Sequence, residues 1–245
     1  MIKTENLSKK YNHFWALNDL NLDIKKGEFY CLLGPNGAGK TTTLKLLAGL
    51  LKATAGTIYI CGKELKADAT EIKQLLGYIP DSPYVYENLT VREFLEFIGS
   101  IFNIEKKLLG ERIDYYLDVF DLNNAEGSLL RDFSHGMRQR VIYIANFIHH
   151  PQVFLIDEPL VGLDPHAIHL IKRLLKEKTR EGLTILMCTH ILGIAEELAD
   201  RIGIIDKGKL IAQGGLEELK KSTSQARLED IFLRLTEPST QNLKG

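Results

Sequence analysis

The sequence predicts an α/β fold with a mainly parallel central sheet, an antiparallel β layer near the N-terminus and a helical insertion in mid-chain. Three observations carry this reading. A glycine-rich loop, GPNGAGKTT from Gly34 to Thr42, sits between an apolar run, Phe29 to Leu33, and a helix-like run, Thr41 to Leu50. A second apolar run, Val153 to Ile156 (VFLI), has the character of a buried parallel strand and ends in two carboxylates, Asp157 and Glu158. Between these, from Thr90 to about Phe120, apolar residues recur at helical spacing without a strand signal.

The remaining elements follow in chain order. Ile2 to Leu7 alternates loosely, whereas Leu17 to Ile24 alternates strictly from Leu20 onward, as a half-exposed antiparallel strand does. Lys25-Lys26-Gly27-Glu28 is a turn before the buried strand Phe29 to Leu33. Gly56 to Gly62 reads as a strand ending in a turn, Ala69 to Leu75 as a short helix, and Gly77-Tyr78-Ile79 as a strand stopped by Pro80. The helical insertion closes with a helix from Gly136 to His149. Gly162-Leu163-Asp164-Pro165 turns into the helix Pro165 to Thr179, Thr184 to Cys188 is another buried strand, and Ile202 to Asp206 forms a hairpin with Leu210 to Gln213. From Leu216 the chain is helical and charged, and Pro238 to Gly245 is expected to fray. The resulting partition assigns 1–80 and 150–215 to the α/β core with its β subdomain, 81–149 to a helical subdomain and 216–245 to a C-terminal tail.

The glycine-rich loop carries the chemistry. Gly34, Gly37 and Gly39 can turn sharply and offer backbone N–H groups to phosphate oxygens with no Cβ in the way. Lys40 can reach the β- and γ-phosphates as a mobile charge, and the Thr41 hydroxyl is placed to ligate Mg²⁺. The helix that follows adds its positive end. Such a loop, between strand and helix, marks a P-loop NTPase core. Asp157, at the end of the later strand, would hold Mg²⁺ through water, and Glu158 would face the water that attacks the γ-phosphate. His190 follows a buried strand, on the edge where α/β proteins bind ligands. Tyr11 is either a purine-stacking ring or a surface tyrosine at a turn. His149, His150, His166 and His169 lack ligand companions at metal spacing and read as solvated helix positions.

Composition narrows the class. The 245 residues, 44% of them hydrophobic, suffice for one large domain or one domain with an insertion. A net charge of −1 gives no global pull towards nucleic acid. Cys31, Cys61 and Cys188 are odd in number and far apart, and read as reduced core thiols of a cytosolic protein. The N-terminus lacks the apolar core of a signal peptide, and no apolar run reaches membrane-span length, so a membrane role must come through a partner.

The ordered motifs resemble the ATP-binding cassette (ABC) ATPases, the nucleotide-binding subunits of transporters, over essentially the whole chain. They are Tyr11, GPNGAGKTT, FSHGMRQR from Phe133 to Arg140 in the place of the family signature, VFLIDEP, GLDP and the strand-end His190. The resemblance implies an ATP site built from Tyr11 with Gly34, Pro35, Asn36, Gly37, Ala38, Gly39, Lys40, Thr41 and Thr42, with Glu158 and His190 as catalytic groups. It also implies that two cassettes, most simply two copies of this chain, pair head to tail. Ser134, His135, Gly136 and Met137 of one would then close on the γ-phosphate bound by the other.

Two positions depart from the usual family pattern. Asp81 stands where a glutamine is common, so its contact with Mg²⁺ or the attacking water is undecided, and the signature carries His135 and Met137 in place of familiar residues. An active site of modest rate is expected. By the same resemblance the partners are transmembrane permease subunits and a second cassette, with no nucleic acid, and the chain lies peripherally on the cytoplasmic face of the cell membrane. Asp81 and the ending RLEDIFLRLT, Arg227 to Thr236, are similar to the exporter branch. Leu228, Ile231, Phe232 and Leu235 form one helix face that docks on the domain or on its dimer mate. Tyr84, Val85 and Tyr86, within Pro80 to Glu87, either line a cleft for a helix of the membrane subunit or pack back on the domain. Two other classes compete with a transporter subunit: a soluble regulatory or mechanical cassette, and a plain P-loop kinase or GTPase.

Overall fold

Alternation in the first segments builds a hairpin. In the computed structural model, which describes residues 1–66, 69–82, 84–158, 160, 163–223, 225 and 227–236, β1 (Ile2–Tyr11) pairs antiparallel with β2 (Phe14–Ile24). Both strands run further than sequence alternation alone reaches, because pairing continues to Tyr11 opposite Phe14. The strands β4 (Ala55–Ile60) and β5 (Lys63–Glu64) complete a four-stranded antiparallel sheet in the order β2-β1-β4-β5.

The continuous apolar runs become a second sheet. Its strands are β3 (Phe29–Leu33), β6 (Leu76–Ile79), β7 (Val153–Asp157), β8 (Thr184–Thr189), β9 (Arg201–Asp206) and β10 (Lys209–Gly214), in the order β10-β9-β3-β8-β7-β6. Every pairing is parallel except the edge hairpin β9 with β10. Both faces are covered, which is why the central strands read as unbroken apolar runs. Phe29, Cys31, Leu33, Phe154 and Ile156 pack towards one core, while Tyr30, Leu32, Val153 and Leu155 pack towards the other, against the antiparallel sheet. Period-two alternation is thus present, but between two apolar environments.

The helices are α1 (Lys40–Leu47), α2 (Thr70–Lys73), α3 (Val91–Ile101), α4 (Lys106–Val119), α5 (His135–Phe147), α6 (Pro165–Arg180), α7 (Leu192–Leu198), α8 (Leu216–Thr223) and α9 (Leu228–Thr236). α3 starts at a capping box in which Thr90 and Glu93 satisfy each other's backbone N–H groups, worth about 1 kcal/mol. α6 is capped by Asp164 with Pro165 in its first turn. α3, α4 and α5 share one core with the sheet through side chains such as Phe94, Ile113, Tyr143 and Phe147. The apolar face of α9 docks on this same chain: Leu228 and Ile231 are fully buried, and Phe232 and Leu235 pack beside them. The expected fraying of Pro238 to Gly245 falls outside the described residues, as do Pro83, Pro159 and Gly162 of the motifs above.

Three expectations need correction. The helix predicted to reach His149 ends at Phe147, where the chain turns with a bond from the His150 N–H to the Phe147 carbonyl before Pro151. His149 and His150 therefore lie beyond the helix, and His149 is not solvated. Its ring stacks on Phe102 at 3.8 Å, and Nε2 donates to the Leu76 carbonyl at 3.1 Å, joining the α3 end to β6. Cys31 and Cys188 are buried thiols as expected, but Cys61 is only partly buried, in the turn after β4 at φ +52. Among the described residues no group of three or more His, Cys, Asp or Glu side chains is arranged to hold a metal, and no helix is long and apolar enough to cross a membrane.

Burial pushes the His149 pKa down from 6.5 to about 4. The unfolded chain therefore takes up a proton at this position below about pH 6.5 while the native fold refuses it, so stability falls as pH drops through that window towards 4. His149→Gln, which keeps a donor for Leu76 but cannot titrate, should flatten part of this fall. Thermal unfolding midpoints of both proteins across pH 5 to 7.5 will check it; parallel curves contradict the assignment.

Candidate nucleotide site

Register brings the functional strand ends together. Leu33 pairs with Thr189, Asp157 with Cys188, and Ile79 with Ile156, so the chain leaves β3, β8, β7 and β6 at one carboxyl edge. A cavity of about 490 Å³ opens there, lined by Tyr11, Phe14, Ala16, Asn36 to Thr42, Asp81, Asp157, Glu158 and His190. Most of the candidate residues meet in this one place, including Tyr11 from the antiparallel sheet. Phe14 and Ala16 were not singled out from sequence. They arrive because β2 pairs back on β1 as far as Tyr11 opposite Phe14, beyond the Leu17 to Ile24 stretch whose alternation marks an antiparallel strand.

The loop conformation depends on two close approaches. A Cβ on Gly34 would lie 2.4 Å from the Ile205 carbonyl oxygen, and Gly39, at φ +109, would bring one to 2.6 Å from the Ala16 carbonyl oxygen. Only glycine fits either place. Gly34 and Pro35 do not line the cavity; their carbonyls instead accept hydrogen bonds from Lys40 Nζ at 2.7 and 3.3 Å. Lys40 is itself buried, and its ammonium lies 3.8 Å from Glu158 Oε1. A cation at the first residue of a helix opposes the helix dipole, so these oxygens offset an otherwise unfavourable placement.

The acidic strand end is tightly arranged. Glu158 sits at φ +45, with its N–H bonded to the Cys188 carbonyl at 2.9 Å. Glu158 Oε2 accepts from Thr189 Oγ1 at 3.0 Å, and His190 Nδ1 lies 2.9 Å from Oε1. Thr189 is a positioning group that sequence reading passed over, because a threonine closing a strand carries no chemical signal of its own. Asp157 is 1% exposed, and neither carboxylate oxygen has a hydrogen-bond partner of normal geometry among the described residues. Burial raises its pKa above the ordinary carboxylate value; the nearby Thr41 hydroxyl and Lys40 pull it back, while Glu158 and Asp81 push it further up. A buried, unpartnered carboxylate beside a threonine hydroxyl fits a divalent cation, which would supply the missing positive charge.

The residues expected by resemblance to form the signature stand apart from the cavity. Ser134 caps α5, accepting from the Met137 N–H at 3.3 Å, and both Ser134 and His135 are exposed. Gly136 faces Leu163, and Arg140 pairs with Asp164 at 2.9 Å, tying α5 to the start of α6. Tyr84 and Tyr86 are exposed and Val85 is buried; Tyr86 meets Phe97 edge-on at 5.4 Å.

A phosphate loop, an acidic strand end and a strand-end histidine around one cavity define a nucleotide-hydrolysing α/β domain. The chain belongs to the ABC transporter family, as an ATP-binding and ATP-hydrolysing subunit: the family model described as ABC transporter matches residues 17–161. The bacitracin transport ATP-binding protein BcrA of Bacillus licheniformis is 39% identical over 222 residues, covering 90% of this chain and 72% of that protein. The Nod factor export ATP-binding protein I of Cupriavidus metallidurans is 33% identical over 243 residues, covering 99% and 80%. A solved ATP-binding subunit of an ABC transporter superposes with a TM-score of 0.92 at 33% identity, covering 97% of this chain and all of that one. A dimeric ATP-binding cassette in a post-hydrolysis state bound to ADP and Pi superposes with a TM-score of 0.81 at 27% identity, covering 88% and 99%.

Because the buried Asp157 carboxylate has no hydrogen-bond partner of normal geometry among the described residues, its ionisation costs stability above the normal carboxylate pKa. Asp157→Asn should raise the unfolding midpoint of the nucleotide-free protein by a few degrees, as roughly 1 kcal/mol does in a chain of this size. The same change should reduce ATP hydrolysis. A variant less stable than the wild type, measured by calorimetry without nucleotide, contradicts the uncompensated burial.

Proposed function

We propose that this chain is the ATPase subunit of a multicomponent exporter, that two cassettes close head to tail around ATP, and that separate permease subunits bind them on the cytoplasmic side of the membrane. The observation that carries the reading is the separation of Ser134 to Met137 from a cavity that already holds the loop, both carboxylates and His190. An exposed, serine-capped helix start with anion-binding character is without use to its own cavity, and a second copy can supply its phosphate. The dimeric cassette among the structural relatives supports the pairing, and the relatives named for bacitracin transport and Nod factor export support export. The exposed Tyr84 and Tyr86 offer aromatic surface for a permease helix. Residues 81–149 serve in this reading as the helical subdomain between nucleotide and permease.

In this mechanism Tyr11 stacks on the base, and the N–H groups from Asn36 to Thr42 hold the phosphates. Lys40 leaves the Gly34 and Pro35 carbonyls to meet the β- and γ-phosphates. Glu158 takes the proton of the attacking water while Thr189 fixes one of its oxygens and His190 contacts the other. Thr41 and Asp157 would hold Mg²⁺, with Asp81 on the cavity wall as a further candidate, and the ion would neutralise charge building on the phosphates. The competing reading as a kinase or GTPase gives the signature helix no role.

Glu158→Gln removes the base and leaves the phosphate contacts, so it should cut hydrolysis at least about 100-fold and trap a dimer at millimolar MgATP, seen by light scattering. A variant that remains monomeric there refutes the sandwich. Lys40→Ala should lose at least about tenfold in ATP affinity. Unchanged binding in a calorimetric titration would remove the role assigned to the loop lysine.

A further inference from the structure

We propose that Lys9 is a positioning residue for nucleotide binding, bracing the Tyr11 ring from the side away from the cavity so that its other face is held ready for the base. The inference rests on the reading of Tyr11 as the base-stacking residue. Lys9 Nζ lies over the Tyr11 ring, 5.2 Å from its centroid. Tyr11 lines the nucleotide cavity, whereas Lys9 is not among the residues that line it. The ammonium is itself fixed, donating to the Lys52 carbonyl at 2.8 Å in the connection between α1 and β4.

The physical consequence follows from the exposure of Tyr11. Its ring is 44% exposed at the end of a hairpin, and the ring across from it, Phe14, is 61% exposed. A tyrosine in such a place samples several orientations, and ordering it is a cost that ligand binding must meet. A cation held over one ring face narrows that choice before the nucleotide arrives. Through Lys52 the brace also links the base end of the cavity to the segment following α1, the helix whose first residue is the phosphate-binding Lys40.

The test compares MgATP with magnesium tripolyphosphate, which has the phosphates and no base, by calorimetric titration of the full chain. Lys9→Met keeps the aliphatic stem and removes the charge; it should weaken ATP binding roughly three- to tenfold and leave tripolyphosphate binding unchanged. Lys9→Arg, which retains a cation able to lie over the ring, should restore ATP affinity. In a Tyr11→Ala background Lys9→Met should cause no further loss. Three results overturn the brace: unchanged ATP affinity in Lys9→Met, an equal loss for tripolyphosphate, or a loss that persists without Tyr11. If Tyr11→Ala weakens ATP binding and Lys9→Met does not, the stacking role of Tyr11 stands and only the brace falls. If Tyr11→Ala binds ATP like the wild type, the stacking role falls and the brace with it.

Discussion

The buried ammonium of Lys40 has to be held at the positive end of a helix, and much of the surrounding architecture answers to that need. Its resting partners are two carbonyls of its own loop, at 2.7 and 3.3 Å, and the more distant Glu158. Around them Gly34 lies so close to Ile205, and Gly39 so close to Ala16, that a side chain at either position would collide. The loop is thus pinned from β9 on one side and from the antiparallel sheet on the other. β3 must therefore sit inside the parallel sheet, with β8 and β9 as neighbours, for both contacts to exist.

The same edge gathers charge of opposite sign. Asp157 and Glu158 leave β7 beside the end of β8, where Thr189 and His190 meet Glu158. Lys40 and Glu158 lie 3.8 Å apart, whereas Asp157 has no hydrogen-bond partner of normal geometry among the described residues. The site is therefore electrostatically incomplete as a bare polypeptide, in a way that a cation and a polyphosphate together would remedy.

What could be read from sequence divides along physical lines. The phosphate loop, the acidic strand end and His190 were legible because each is a local pattern whose spacing already dictates its geometry. The convergence of four strand ends could be inferred only in kind, since register is set by long-range pairing such as Leu33 with Thr189. Phe14, Thr189 and Lys9 escaped notice for the same reason: their significance comes from a neighbour distant in sequence or across a hairpin. His149 was misjudged because a polar residue beside a predicted helix end reads as solvated, while its stacking on Phe102 depends on how α3 meets α5. Helix ends were overrun where apolar periodicity continued past the last turn, as at Phe147.

Glu158 combines a left-handed backbone at φ +45 with a neighbour, Asp157, whose carboxylate is buried without a hydrogen-bond partner of normal geometry among the described residues. Non-glycine residues in that backbone region carry strain of order 1 kcal/mol. Glycine or asparagine at 158 and asparagine at 157 would relieve that strain and that buried charge, and under the roles proposed for these two carboxylates hydrolysis would be lost as the protein became hardier. In the proposed mechanism the acidic pair therefore sets activity against stability, and libraries screened only for heat resistance should erode this strand end before any part of the core.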